Sequence, residues 1–189
     1  MELVALRRPV VAALALSVTA ALGAVVVPAP AEAAAHRAAV CATRWGSQPQ
    51  FADGRSTAPV SGVRAGRHAC FDRLVVDVDG PLGPWTVRYV DRVFRDGRPG
   101  EEVPLRGGAR LEVAVHQPPL ATDAWFREDG SLLDTRGYRT FRELAWAGEP
   151  GGGRTLLGLG VRARLPVRAF VLPGPGTGSR LVVDVAHRW

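Results

Sequence analysis

The six-residue sequence Arg-Leu-Val-Val-Asp-Val occurs twice in this chain, at residues 73–78 and again at residues 180–185. In each copy every second residue is apolar, namely Leu74, Val76 and Val78 in the first and Leu181, Val183 and Val185 in the second. Alternation with a period of two, in a segment rich in β-branched residues, predicts a strand with one buried face. We therefore expect both copies to be core strands.

Other segments show the same alternation, and together they predict an all-β fold. The candidate strands are residues 63–67, 73–79, 85–91, 110–115, 157–165, 167–172 and 180–185. A cluster of Gly and Pro at residues 80–84 predicts a tight connection between two antiparallel strands. We expect a β-sandwich or a partly closed barrel of roughly seven to nine short, mostly antiparallel strands.

The middle of the chain, from residue 116 to residue 147, is the least regular part. Asp129-Gly130 predicts a hairpin between two apolar pairs. Thr140 and Glu143 form a capping-box pattern that is typical of a helix start. The same residues also fit a strand, and we favour the strand.

Gly158 and Gly160 alternate with the apolar residues of the candidate strand at 157–165. They leave one face of that strand without side chains. We therefore expect another backbone or an aromatic ring to lie against this face.

The start of the chain has the layout of a secretory signal peptide. Arg7 and Arg8 precede an apolar run at residues 10–27, and small residues offer cleavage sites after Ala33 and Ala35. An uncleaved membrane anchor is the alternative, because the run approaches the length that spans a bilayer. The predicted organisation is a signal peptide at residues 1–33, an extended arm or linker at 34–59 and a sandwich domain at 60–189.

The chain is basic, with 24 Lys and Arg residues against 18 Asp and Glu and a net charge of +6. All 24 are arginines, and the sequence contains no Lys, Asn or Ile. Their joint absence is typical of a GC-rich genome, so the use of Arg alone is no evidence for phosphate recognition. The positive charge itself still favours contact with anionic surfaces.

The two cysteines, Cys41 and Cys70, both follow the predicted signal peptide. In an exported chain we expect them to form a disulfide. Closing a loop of about thirty residues stabilises a fold by roughly 3–4 kcal/mol in the chain-entropy model. A metal site is the alternative, but no His or third Cys stands at ligand spacing.

The sequence shows no motif for catalysis, metal binding or cofactor binding. The histidines are far apart in sequence, at His36, His68, His116 and His187. Residues 174–179 resemble part of a phosphate-binding loop, but they lack its Lys and precede a predicted strand. No nucleophile elbow is present. We expect neither enzymatic activity nor a cofactor, and a site assembled across strands is the alternative.

Asp77 and Asp184 hold equivalent positions in the two hexamers, on the face opposite the apolar trios. Such residues either make cross-strand ion pairs or contact a ligand. We favour ion pairs, with Arg88 or Arg162 as the partner.

Several of these segments together resemble the AMIN-like domain of actinobacterial secreted proteins and lipoproteins. They are residues 66–78, 85–90, 111–115, 157–160, 166–171 and 179–187, and the resemblance extends over residues 45–189. It is weakest between residues 116 and 147. The resemblance implies a sandwich of two small sheets that binds peptidoglycan and has no catalytic activity.

From this resemblance we expect a secreted, cell-wall-associated module that binds peptidoglycan or another anionic wall polymer. A module that binds or inhibits an exported protein is the alternative. We expect no nucleic-acid partner, and membrane contact only through the signal segment. Candidate wall contacts are Arg64, Arg67, Arg88 and Arg162 for carboxylates or phosphates, with Trp45 and Trp125 for sugars.

Overall fold

The computed structural model describes residue 41 and residues 43–120, 122–127, 131–149 and 152–189. These residues contain eleven β-strands, one short 3-10 helix and no α-helix. The all-β prediction is therefore confirmed, and the fold is a sandwich rather than a closed barrel. The predicted signal peptide and the predicted hairpin tip at Asp129-Gly130 lie outside the described residues.

The elements are as follows in chain order. The strands are β1 (Gln50–Ala52), β2 (Val60–Arg67), β3 (Phe71–Val78), β4 (Trp85–Val90), β5 (Val93–Phe94), β6 (Glu102–Val103), β7 (Ala109–Val115), β8 (Phe141–Trp146), β9 (Thr155–Val161), β10 (Val167–Pro173) and β11 (Ser179–Ala186). The 3-10 helix covers Thr122–Trp125, between β7 and β8.

Two antiparallel sheets form the sandwich. The five-stranded sheet has the order β1-β4-β7-β9-β8, and the four-stranded sheet has the order β10-β11-β3-β2. Strands β5 and β6 form a separate ribbon. The strand number exceeds our prediction because β1, β5 and β6 have three, two and two residues, which is too short to show alternation.

The two copies of the hexamer pair with each other at the centre of the four-stranded sheet. Val75 lies opposite Val182, which places Arg73 opposite Asp184 and Asp77 opposite Arg180. The predicted apolar trios of β3 and β11 are buried, and they pack in one core with those of β7 and β9. Each such side chain contributes roughly 1.5–3 kcal/mol before entropy.

The Gly- and Pro-rich connection between β3 and β4 does not form the predicted hairpin. Strand β3 pairs with β2 and β11, whereas β4 pairs with β1 and β7 in the other sheet. Gln117 is buried beside this connection, where its Oε1 accepts from Gly83 N at 2.7 Å and its Nε2 donates to Pro81 O at 3.2 Å. The prediction was wrong because turn residues determine a change of direction but not which sheet the chain enters.

The bare face of β9 is covered by backbone at Gly160, as predicted, and by aliphatic side chains at Gly158. A Cβ at Gly160 would collide with the backbone oxygen of Arg106, and one at Gly158 would lie 2.8 Å from Cδ1 of Leu105. Leu105 and the β5–β6 ribbon build a second apolar cluster there, on the outer side of the five-stranded sheet. That side is therefore partly covered.

Residues 141–146 form a strand, β8, which confirms the interpretation we favoured for this segment. The Thr140 hydroxyl donates to the carboxylate of Asp72, and the Glu143 carboxylate accepts from the backbone amide of Arg106. Neither side chain therefore serves a helix cap.

The N-terminal arm is held at several points. Cys41 and Cys70 form the predicted disulfide, which ties the arm to the start of β3. Strand β1 pairs with β4. From β1, Gln50 Nε2 donates to Val167 O at 2.9 Å and Gln50 Oε1 accepts from Ala169 N at 2.8 Å. The arm therefore contacts both sheets.

Candidate functional site: the outer face of the four-stranded sheet

The outer face of the four-stranded sheet carries no covering strand or helix in the part of the chain that the structure describes. Strand alternation turns four arginines toward this face because their neighbours fill the core. They are Arg64 on β2, Arg73 on β3, Arg168 on β10 and Arg180 on β11. This uncovered basic surface is our candidate functional site, and we call it the arginine face.

Carboxylates hold three of these arginines in place. Asp184 has no exposed side-chain area (0%) and contacts Arg73 at 2.6 Å and Arg168 at 2.8 Å. Asp77, with 26% of its side chain exposed, contacts Arg64 at 2.8 Å through two hydrogen bonds. The hydrogen bond with Asp184 raises the pKa of the Arg73 guanidinium. Within the strands, four outward guanidinium groups against two outward carboxylates leave two positive charges, and Asp79, just after β3, adds one exposed carboxylate.

The predicted ion pairs of Asp77 and Asp184 exist, but we had expected the wrong partners. Arg88 lies on β4 in the other sheet, where its Nη2 is 2.7 Å from Oε1 of Glu112. Arg162 follows β9 and donates to the backbone oxygen of His187 at 2.6 Å. The sequence does not give the order of strands in a sheet, so it does not show which arginine lies next to which aspartate.

The two hexamers have identical sequences, but their arginines make different contacts. Arg73 donates to Asp184 across the strand pair, yet Arg180 does not donate to Asp77 in the equivalent position. Instead, Arg180 Nη2 donates to the backbone oxygen of Pro173 at 2.9 Å. Its Nε is buried and has no hydrogen-bond partner among the described residues. Arg180 is thus the one arginine of this face that makes no ion pair within the described residues.

Apolar and aromatic side chains lie beneath and beside the guanidinium groups. Val75 and Val182 face outward from β3 and β11 but are buried, as expected where arginine stems lie over an apolar floor. The guanidinium of Arg168 lies 4.1 Å from the centroid of the Trp45 ring and 5.2 Å from that of Phe170, within cation–π range. The arginine face therefore has aromatic rings at its side.

Two grooves open on this face and meet at Arg64. The first, which we call the basic groove, has a volume of about 250 Å³. It is lined by Arg64, Ala65, Gly66, His68, Arg73, Val75, Leu172, Arg180 and Val182. The second, the polar groove, has a volume of about 570 Å³. It is lined by Ser61, Arg64, Asp77, Val78, Asp79 and residues 175–179.

Residues 58–187 match the sequence model of the AMIN-like domain, which is more than half of the chain. The chain belongs to the AMIN-like domain family. Membership indicates a cell-wall-related module, and domains of this family are generally non-catalytic binding modules. No curated protein matches the chain significantly. Among the described residues, no helix combines the length and hydropathy that crossing a membrane requires.

The AMIN-like domain brings together two of the six residues that we predicted as wall contacts. Arg64 and Trp45 lie on the arginine face. Arg67 is exposed at the end of β2, and Arg88 and Arg162 have the positions given above. Trp125 packs edge-on against Trp146 at 5.7 Å and donates to Ser61 O at 3.2 Å. These six assignments remain predictions.

Sequence reasoning missed Arg73, Arg168 and Arg180 as residues of this AMIN-like face. Alternation did place the hexamer arginines opposite the apolar trios. The missing information was the pairing of β10 with β11 and of β11 with β3, which brings the three side chains to one surface.

The described histidines of the AMIN-like domain do not form a metal site. His68 stacks on Phe71 with 4.5 Å between ring centroids, and His116 is exposed. His36 lies outside the described residues. No group of three or more His, Cys, Asp or Glu side chains suited to a metal ion occurs in the described ranges.

The fourth histidine, His187, contacts a buried carboxylate. Asp72 is 1% exposed, and it accepts from the backbone amide of Thr140 at 2.6 Å as well as from the hydroxyl of that residue. Burial alone raises the pKa of the Asp72 carboxyl, but the hydrogen bonds from Thr140 and His187 outweigh burial and bring the pKa below its ordinary value. A carboxylate held charged by fixed donors inside the sandwich serves structure.

Proposed function

We propose that this AMIN-like domain is an exported, non-catalytic module that binds peptidoglycan or another anionic wall polymer through the arginine face. The observation that carries the proposal is the uncovered sheet surface whose strands present four arginines and two carboxylates. Family membership supports a role at the cell wall.

The chemistry of the face suits anionic groups. An arginine guanidinium has five N–H donors, and a carboxylate partner uses only some of them. The remaining donors of Arg64 and Arg73 stay available for carboxylates or phosphates of a polymer. Because Asp77 and Asp184 already fix these side chains, binding loses less conformational entropy than it would with free arginines.

Export is part of the proposal. The predicted signal peptide at residues 1–33 would be removed, leaving the arm and the sandwich domain from residue 60. The disulfide between Cys41 and Cys70 supports an oxidising compartment, where such bonds persist.

Sedimentation with purified sacculi tests the proposal, with two matched variants. Arg64 and Arg92 each have a carboxylate partner, their side chains are 56% and 67% exposed, and Arg92 lies outside the four-stranded sheet, just before β5. We expect Arg64→Ala to reduce the bound fraction severalfold, and Arg92→Ala to leave it unchanged. Added salt should weaken binding of the unmodified chain. Equal recovery in the supernatant with and without sacculi would rule the proposal out.

A second candidate function is contact with an exported protein. A groove of about 370 Å³ beside β8 has apolar walls that include Phe126, Leu133 and Trp146. Apolar surface of this kind suits a protein partner. Under this alternative, Phe126→Ser abolishes retention of a specific envelope protein in a pull-down, whereas Arg64→Ala does not.

A further inference from the structure

The sign of the charge changes along the arginine face. The charged residues of the basic groove, apart from His68, are Arg64, Arg73 and Arg180. Those of the polar groove are Arg64, Asp77 and Asp79. Because Arg64 lines both grooves, a groove with positive groups adjoins a groove with two carboxylates.

Each end contains a group whose bonding capacity is not used. The carboxylate of Asp79 is exposed and makes no ion pair within the described ranges, although its backbone amide is fixed by a 3.0 Å hydrogen bond to Pro59 O. At the other end, the Arg180 guanidinium donates from Nη2 to Pro173 O at 2.9 Å and makes no ion pair within the described ranges. Arg64 and Asp77, by contrast, form an ion pair with each other.

Strand geometry sets the spacing of the two backbone positions, and the Arg180 side chain extends from its position toward Pro173 on β10. Asp79 follows Asp77 by two residues, which is about 7 Å along an extended chain. Arg180 lies directly opposite Asp77 on β11, about 5 Å across the pair. A ligand that reaches both therefore carries its cation and its anion several bonds apart. A peptide residue spans roughly 3.5 Å, so two to three residues cover the spacing of the two backbone positions.

The wall of the polar groove also suits a peptide backbone. Ser61 and Thr177 offer hydroxyl groups that both donate and accept. Gly176 has a φ of 57°, and a Cβ there would meet no atom within 4 Å, so this turn leaves its backbone open to a ligand. Amide groups of a bound chain therefore find partners in the polar groove.

We infer that the two grooves form one dipolar site for a short zwitterionic peptide, with an ammonium group beside Asp79 and a carboxylate beside Arg180. This inference rests on the proposed function, because it selects the peptide part of peptidoglycan over a purely anionic wall polymer. A polyanion satisfies the basic groove but is repelled by Asp77 and Asp79.

Calorimetric titration of the full chain tests the inference with defined ligands. The probe is the N-acetylated peptide Ala-Gln-Lys-Ala, whose only charged groups are a side-chain amine and a terminal carboxylate. The comparison ligands are the same peptide with the amine acetylated, the same peptide with an amidated C-terminus, and a glycerol-phosphate oligomer. We expect either modification to weaken binding about fivefold, the size of one exposed charge contact.

A variant at Asp79 tests whether this carboxylate contacts the ammonium group of the ligand. Asp79→Ser should lower affinity for the probe about fivefold and abolish the difference between the free and the acetylated amine. The matched control is Asp91→Ser, at an exposed aspartate that does not line either groove. It should preserve that difference.

The outcomes separate this inference from the proposed function. If sacculi bind the chain but the peptides with free and blocked amine bind equally, the dipolar site is wrong and the wall-binding proposal stands. Tighter binding of the glycerol-phosphate oligomer than of the probe also overturns the dipolar site. If neither sacculi nor any of these ligands binds, the wall-binding proposal itself fails.

Discussion

Nε2 of His187 lies 3.2 Å from Oδ1 of Asp72, so the residue after the last strand contacts the start of β3. The other carboxylate oxygen of Asp72 accepts from Thr140, which directly precedes β8 of the five-stranded sheet. One buried side chain therefore links the two sheets and the C-terminal segment.

We expect Asp72→Asn to destabilise the domain by about 2–4 kcal/mol. The substitution removes the negative charge that the buried donors of Thr140 and His187 contact. It also turns an NH2 group, itself a donor, toward at least one of these donors. Urea unfolding measures the loss. Asp91→Asn, at an exposed position, should change stability by less than about 0.5 kcal/mol. Equal stability of the two variants would contradict a bonding role for Asp72.

The pH dependence of stability should reflect the same carboxylate. The folded state holds the pKa of Asp72 below its ordinary value, so the carboxylate adds stability above the unfolded-state pKa of about 3.9. This contribution is lost as the pH falls through the lower, folded-state pKa. Asp96, whose pKa is lowered by its hydrogen bond with Arg154, behaves in the same direction.

In urea unfolding at a series of pH values from 6 to 2, the unmodified chain should therefore lose more stability than Asp72→Asn does. The variant should still lose some stability, because Asp96 is unchanged in it. Parallel curves for the two proteins would show that Asp72 has the same pKa in the folded and the unfolded state.

The two aspartates of the repeated hexamer should differ in how much they contribute to the free energy of unfolding. Asp184 is buried and holds two arginines, whereas Asp77 is partly exposed and holds one. We expect Asp184→Asn to cost about 2–4 kcal/mol and Asp77→Asn less than about 1 kcal/mol. Thermal or urea unfolding compares them directly. Since both sit at the same position of an identical sequence, local propensity cannot account for a difference.

Gly160→Ala should destabilise the domain by about 2–3 kcal/mol, because its Cβ would collide with the backbone of Arg106. Gly62, on the edge strand β2, is the control, since a Cβ there meets no atom within 4 Å. Gly62→Ala should leave the unfolding free energy within about 1 kcal/mol of the original. Similar losses at both glycines would show that the segment before β7 does not pack tightly on β9.

Much of the fold follows from local pattern. The trios of β3, β7 and β11 are buried as their alternation predicts, and the bare face is covered by backbone at Gly160. The cysteine pair is a disulfide. These features depend on residues close in sequence, or on the only two cysteines present.

The parts that could not be predicted depend on which strands become neighbours. The arginine face needs β10, β11, β3 and β2 side by side, and nothing in the spacing of Arg64, Arg73 and Arg168 specifies that order. The same limit explains why the ion-pair partners were wrong. Sequence patterns did not single out Asp72, because its hydrogen-bond donors come from the distant residues 140 and 187.

The register of the two hexamers places Arg opposite Asp and Leu opposite Val around the central pair Val75 and Val182. The segment is thus complementary to itself when it runs antiparallel. Two unfolded molecules at high concentration have the same complementarity for each other, so an exchanged ribbon between chains competes with correct refolding of each one.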